Sequence, residues 1–185
     1  MWDLVPGGTS GEALRKSSGE DEVVVLLRNV TKVTQVLQEA GSAVRFADVA
    51  AALRDVCPDT SVYVFSRRGK LLGHALIEGF ASTPFDAAWI DKGQLPEDLA
   101  LALLKVGAIS TGAEAERLIG ERWGAIVPVV GAGRRLGTLV MIRMNQDFTE
   151  DELALAEFVA TAIGMAIADA MDEAEEDEAE EKRMA

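Results

Sequence analysis

A chain of 185 residues is long enough for one domain of ordinary size with short appendages. Its 49% hydrophobic and 26% charged residues exclude a disordered polymer, and no apolar run reaches the roughly 18 residues of a membrane span. A formal net charge of -13 excludes nucleic-acid binding by this polypeptide alone, because a phosphate backbone demands a cationic face.

Residues 1–21 are rich in Gly and Ser and carry no sustained period, so a disordered leader is expected there. They lack the basic start, apolar centre and small-residue cleavage site of a secretory signal. The lone Cys57 offers neither a disulfide framework nor a cysteine-based metal site and reads as a small buried residue near a helix end. A cytoplasmic protein without membrane attachment is expected.

The folded body is expected over 22–168. Val23, Leu26, Leu27, Val30, Val33, Val36 and Leu37 share a helical face that ends before Gly41. Phe46, Val49, Ala50, Leu53 and Val56 mark a second helix, stopped at Cys57-Pro58 because proline disfavours helix at the residue before it. The stretch Val62–Glu78 follows, two β-prone runs around the turn Ser66-Arg67-Arg68-Gly69-Lys70, and reads as a hairpin. Three cations at its tip are out of step with an acidic chain. They suit an anion, since guanidinium groups fork onto phosphate oxygens; they equally suit a solvated turn that resists edge-to-edge aggregation. The local residues leave both readings open.

Thr83-Pro84 predicts a short helix through Ile90, and Pro96 another through Lys105. The small-residue-rich stretch from Val106 to Glu121 predicts a loop with one turn of helix. Trp123–Val130 and Leu136–Met144 predict a second hairpin around Gly131-Ala132-Gly133. Those glycines are not a dinucleotide fingerprint, because a strand follows them, and Arg134 and Arg135 read as solvated turn cations. Thr149 and Glu152 form a capping box for a last helix. Along it Leu153, Ala156, Ala160, Ile163, Ile167, Ala170 and Ala174 recur in steps of three and four, a seam able to cover a sheet on one side and meet a partner helix on another. Residues 169–185 then become an acidic linker helix, in which the last fourteen residues hold a net -6. The element order gives an α+β layout around an antiparallel sheet.

Five segments taken together resemble the sensor half of CodY-type transcriptional regulators: F-A-D-V-A-A-A-L-R-D-V (46–56), V-F-S-R-R-G-K-L-L-G (64–73), Q-L-P-E-D-L (94–99), I-V-P-V-V-G-A-G-R-R-L-G-T-L-V (126–140) and L-A-L-A-E-F-V-A-T-A-I-G-M-A-I (153–167). The resemblance implies a GAF-like domain and a repressor that senses GTP and branched-chain amino acids. It also implies a homodimer that touches DNA through a winged helix-turn-helix beyond the linker helix, a half missing from this sequence. Carried over residue by residue, Ser66, Arg67, Arg68 and Lys70 would surround the guanine nucleotide, with Phe46 against the base. GTP would act as an effector and not be consumed. Two family positions on the long helix, one acidic and one basic, fall near Ala166 and Met171 here, which supply neither charge.

The amino-acid site departs further. The resemblance expects an arginine in the helix after the first hairpin to hold the effector carboxylate, yet Ser82–Ile90 contains neither Arg nor Lys. Lys92 and Arg117 are the substitutes left. An apolar cup of Phe85, Trp89, Leu95 and Leu99 remains for a small amino-acid-like effector, although a plain core would use the same residues. Little response to branched-chain amino acids is expected, because a carboxylate buried without its cation costs several kcal/mol by order of magnitude.

Catalysis is not expected. His74 is the one histidine, on an apolar strand, and zinc would have to rely largely on carboxylates. Two readings of different class remain: an effector sensor whose ligand biases the long helix, or an effector-less dimerisation module built on the 153–174 seam.

Overall fold

The computed structural model describes residues 24–25, 27–35, 46–77 and 92–184. The expected leader over 1–21, the short helix over 83–90 with Phe85 and Trp89, and the end of the first hairpin stretch lie outside the described residues.

Five strands form one antiparallel sheet: β1 (Thr60–Ser66), β2 (Leu71–Ala75), β3 (Ser110–Thr111), β4 (Gly124–Gly131) and β5 (Arg134–Arg143), in spatial order β2-β1-β5-β4-β3. Helices α1 (27–35), α2 (Phe46–Val56) and α5 (Glu150–Met184) cover one face, and α3 (Glu97–Leu104) and α4 (Gly112–Ile119) cover the other. This is the expected α+β architecture.

Strand alternation sorts the core into two layers, since successive side chains point to opposite faces. Val62 and Val64 join Leu139, Met141, Val127 and Val129 beneath α2 and α5, together with Leu53, Val159 and Ile163. Tyr63 and Phe65 go the other way, ring centroids 6.2 Å apart, into a cluster with Val140, Ile142, Ile126, Leu95 and Leu103. Each fully buried aliphatic side chain contributes about 1.5–3 kcal/mol of transfer free energy, so both layers hold the sheet.

The stretch 106–121 departs from its expected loop. Ser110–Thr111 pairs with Ala125–Ile126 as an edge strand, and α4 runs for two turns before Gly120 closes it in the left-handed conformation. Only Ala115 and Ile119 of α4 are buried, an i, i+4 pair too sparse to announce a helix among so many small residues. Pro96 is the N-cap of α3, extended at ψ 145°, one residue before the helix it was expected to begin.

The strand register fixes where the turns lie. Ser66 pairs with Gly137, and Gly137 pairs with Val129, so both hairpin turns sit at one end of the sheet. Thr60 pairs with Arg143 at the opposite end, where α5 begins. The capping box of α5 is formed: Thr149 N–H donates to Glu152 Oε1 at 2.9 Å, and Glu152 N–H to Thr149 Oγ1 at 3.2 Å. Further along, the helix touches the sheet backbone to backbone, for a Cβ on Gly164 would stand 2.1 Å from the Val130 carbonyl oxygen. Ala168 is its last buried residue, so α5 leaves the sheet at the end that carries both turns. The exposed remainder through Met184 projects by about 24 Å at 1.5 Å per residue.

The sheet takes up much of the expected seam. Ala156, Ala160 and Ile163 are buried in the chain's own core, and Leu153 and Ile167 pack partly against it. Ala170 and Ala174 are exposed, as are Phe158, Met165 and Met171. By length and average hydropathy α5 would also be apolar enough to cross a membrane, but its apolar side is the floor of this core.

Candidate functional site

The turn between β1 and β2 is held from two sides. Within it, Ser66 N–H donates to Lys70 O at 2.8 Å, Gly69 N–H to Ser66 O at 2.9 Å and Lys70 N–H to Ser66 Oγ at 3.1 Å. From outside, the segment before α3 lies along it: Leu71 N–H donates to Gly93 O at 2.8 Å, and Leu95 N–H to Gly69 O at 2.9 Å. Gly69 has φ +83°, a conformation that side chains disfavour, and an added Cβ would sit 2.8 Å from the Ala100 Cβ. Glycine here lets the turn close down on α3.

Arg67, Arg68 and Lys70 are exposed on that fixed frame. The ion pairs among the described residues are Arg54–Asp55, Arg117–Glu114 and Arg143–Glu152, and none involves the turn. Three unpaired cations on a rigid turn of an acidic chain keep their charge available to an anion.

Phe46 comes to the same corner. A Cβ on Gly73 would meet the Phe46 carbonyl carbon at 2.6 Å, so the start of α2 rests directly on β2. Gly73 pairs with Val64, two residues before Ser66, and Ser66 continues the face that α2 covers. Phe46 is partly buried against that layer. Five residues spread over 46–70 are thereby gathered at one end of the sheet, the end from which α5 departs. Ala166 is half-buried where the helix still packs on the sheet, and Met171 is exposed on the departing part.

The expected apolar cup is divided. Leu95 is buried and Leu99 partly buried in the layer with Tyr63 and Phe65, while Phe85 and Trp89 lie outside the described residues. Of the two substitute cations, Lys92 is exposed, and Arg117 pairs with Glu114 on α4 at the rim of an open cleft of about 610 Å³ between α3 and α4.

Three side chains with structural roles escaped the sequence reading. Arg135, expected to be a solvated turn cation, is half-buried: its guanidinium donates to Leu103 O at 3.1 Å, Val106 O, Gly137 O at 2.6 Å and Thr138 Oγ1 at 3.0 Å. It adds donors to carbonyls at and just beyond the C-terminus of α3, where Leu103 O also accepts from Val106 N–H at 3.1 Å, a role that no local pattern announces. Arg134, its neighbour, is exposed as expected. Arg143 is 3% exposed at the far end of the sheet. It donates to Pro58 O, Thr60 Oγ1 and Asp147 O, pairs with both Glu152 oxygens, and lies 4.5 Å over the Phe148 ring. Burial alone would raise the Glu152 carboxyl, but the hydrogen bonds from Arg143 and Thr149 outweigh it and hold the group below the ordinary carboxylate range. The third is Gln94, whose amide reaches the cationic turn.

Cys57 and His74 are the lone cysteine and the lone histidine. Burial, with Glu152 adding to it against Arg143, pushes the Cys57 thiol up to about 12, so it is no thiolate nucleophile. His74 is exposed on an edge strand, and the described residues contain no metal-ligating cluster.

The comparisons agree with this fold. The family model described as the CodY GAF-like domain matches residues 25–185. The global transcriptional regulator CodY of Brevibacillus brevis is 36% identical over 169 residues, which cover 85% of this chain and 64% of that protein. Its counterpart in Thermoanaerobacter sp. is 35% identical over 163 residues, covering 85% and 63%. The chain therefore spans about 64% of the length of the curated relatives it matches. Among solved structures, the cofactor-binding GAF domain of the nutrient sensor CodY from Clostridium difficile superposes with a TM-score of 0.55 at 32% identity, covering 76% of this chain and 96% of that one. The GAF domain of a Coxiella burnetii phosphoenolpyruvate-protein phosphotransferase reaches 0.62 at 18% identity, covering 82% and 97%, which speaks for the fold alone.

Proposed function

The chain belongs to the CodY GAF-like family, and from that membership we propose that it is the ligand-sensing domain of a transcriptional repressor, with GTP gripped by the turn between β1 and β2. The observation that carries the reading is the set of three exposed, unpaired cations on a frame held at Gly69, in a chain of formal net charge -13. Arg67, Arg68 and Lys70 hold the phosphates, Ser66 hydrogen-bonds at the turn, and Phe46 lies against the base.

The route from ligand to output is the long helix. Because α5 departs from the turn end of the sheet, a nucleotide there shifts the balance between two packings of the helix in proportion to its differential affinity for them. Contact with DNA is assigned to a separate winged helix-turn-helix half, and the working species is a homodimer. No catalytic step is proposed, and GTP leaves unchanged.

A second reading rests on the exposed Phe158, Met165 and Met171, which favour a pairing module that has lost its effectors. Thermal unfolding with GTP separates the two. A sensor saturated at a hundred times its Kd gains about 2.7 kcal/mol, or roughly 5–10 °C in Tm for a domain of this size. Joint replacement of Arg67 and Arg68 by Ala removes that gain. An unchanged melting curve at millimolar GTP sinks the sensor reading in favour of the adaptor. Isoleucine is expected to shift the curve little, since Ser82–Ile90 offers its carboxylate no cation.

A further inference from the structure

Resting on the reading of the cationic turn as a phosphate grip, we propose that Gln94 is a positioning residue for that turn, keeping the Arg68 carbonyl engaged so that it cannot face the bound anion. Gln94 is exposed and contributes no core packing, yet its Nε2 donates to Arg68 O at 2.8 Å and to Leu95 O at 3.2 Å. Gln94 lies 26 residues from Arg68, and its backbone bridges Lys70 in antiparallel fashion. An exposed side chain bonded to two main-chain carbonyls holds backbone in place; it does not fill space.

The carbonyls of the turn explain why this matters. Ser66 O accepts from Gly69 N–H, Gly69 O from Leu95 N–H, Lys70 O from Ser66 N–H, and Arg68 O from Gln94. Among the described residues, the Arg67 and Arg68 backbone N–H groups have no acceptor. With four of the five carbonyls tied down, the open main-chain groups are two N–H and the Arg67 carbonyl, so the partial charges left to a ligand are mainly positive. Of the five carbonyls, three are held by main-chain donors, and Arg67 O has no donor among the described residues. The Arg68 carbonyl depends on one side chain, so a single substitution can release it. A released Arg68 carbonyl turns its negative end on the phosphates or wavers between positions, and either weakens the grip without unfolding the domain.

The test measures the affinity of the full chain for GTP and for inorganic triphosphate by calorimetry, in the wild type and in Gln94→Met, which keeps the length and removes the donor. A net side-chain hydrogen bond of about 0.5–1.5 kcal/mol corresponds to roughly a two- to tenfold weakening, expected equally for both ligands because the effect falls on the phosphates. The Tm of the unliganded variant is expected within about 1 °C of wild type, as the residue is exposed. Gln94→Glu, which sets an acceptor against the Arg68 carbonyl, is expected to weaken binding further. If the wild type binds neither ligand at millimolar concentration, the phosphate-grip reading itself falls. If the wild type binds and Gln94→Met binds equally well, the positioning role alone is overturned. It is equally overturned if the variant loses several degrees of unliganded Tm while keeping its affinity.

Discussion

Both hairpins of this domain carry an arginine pair at or beside their turns, at the same end of the same sheet, and Arg135 of the second pair does work opposite to that of the first. Arg67 and Arg68 stand exposed without an ion pair among the described residues. Arg135 is drawn down onto the C-terminal carbonyls of α3 and the side chain of Thr138, while Arg134 stays in solvent. The helix α3 separates the two cases. Its N-terminal approach, Gly93–Leu95, fastens the first turn by main chain and by the Gln94 amide, leaving the guanidinium groups unused. Its C-terminal end has carbonyls to satisfy and takes the Arg135 guanidinium to do so. A cation in a turn is available to a ligand only where no helix end within reach needs it.

The largest expected effect is on the structural side of this contrast. Arg135→Ala leaves several carbonyls without a charged donor and is expected to lower the unfolding free energy in urea by about 2–4 kcal/mol. GTP affinity should change little once the protein is folded; a strong loss of affinity would break the division of labour between the turns. On the other side, Arg67→Ala and Arg68→Ala are each expected to weaken GTP binding by about 1.5–3 kcal/mol, with the unliganded urea midpoint held. A fall in that midpoint would show that these cations, too, are structural. Gly69→Ala forces a side chain into the φ +83° position and against Ala100. It is expected to cost about 1–3 kcal/mol and to disturb the backbone amide spectrum from Ser66 to Leu71.

The opposite end of the sheet supplies a pH control. A carboxyl held below its unfolded pKa, as Glu152 is, contributes stability that is complete above the unfolded value and lost as pH falls through the folded one. Acid is thus expected to weaken the Arg143–Glu152 latch below about pH 4.3, and Glu152→Gln to flatten that limb of the stability profile. The smallest effect belongs to Arg134→Ala, expected within about 0.5 kcal/mol in stability, since its side chain is exposed and unpaired among the described residues.

Much of this was legible beforehand. The β-prone run of Val62, Tyr63, Val64 and Phe65 announced a strand, and Thr149 with Glu152 announced the start of α5. The cationic turn and Phe46 were equally visible, although their convergence depends on Gly73 letting α2 rest on β2. The helix α4 was hidden because Gly112 and Ala113 dilute its period, and its buried pair faces a sheet that local residues do not foretell. The seam on α5 was legible, and of its two expected uses Ala156, Ala160 and Ile163 take the sheet, facing the chain's own strands.

Sequence alone determined the elements of periodic pattern, the acidic projection and the residue types at the first turn, because these follow from side-chain spacing and charge within a few neighbours. Tertiary structure decided which arginines remain free, which carbonyls Gln94 and Arg135 satisfy, and the end of the sheet from which α5 departs. Each of those outcomes depends on a hydrogen-bond partner or a backbone approach dozens of residues away, and a local pattern carries no record of a distant partner.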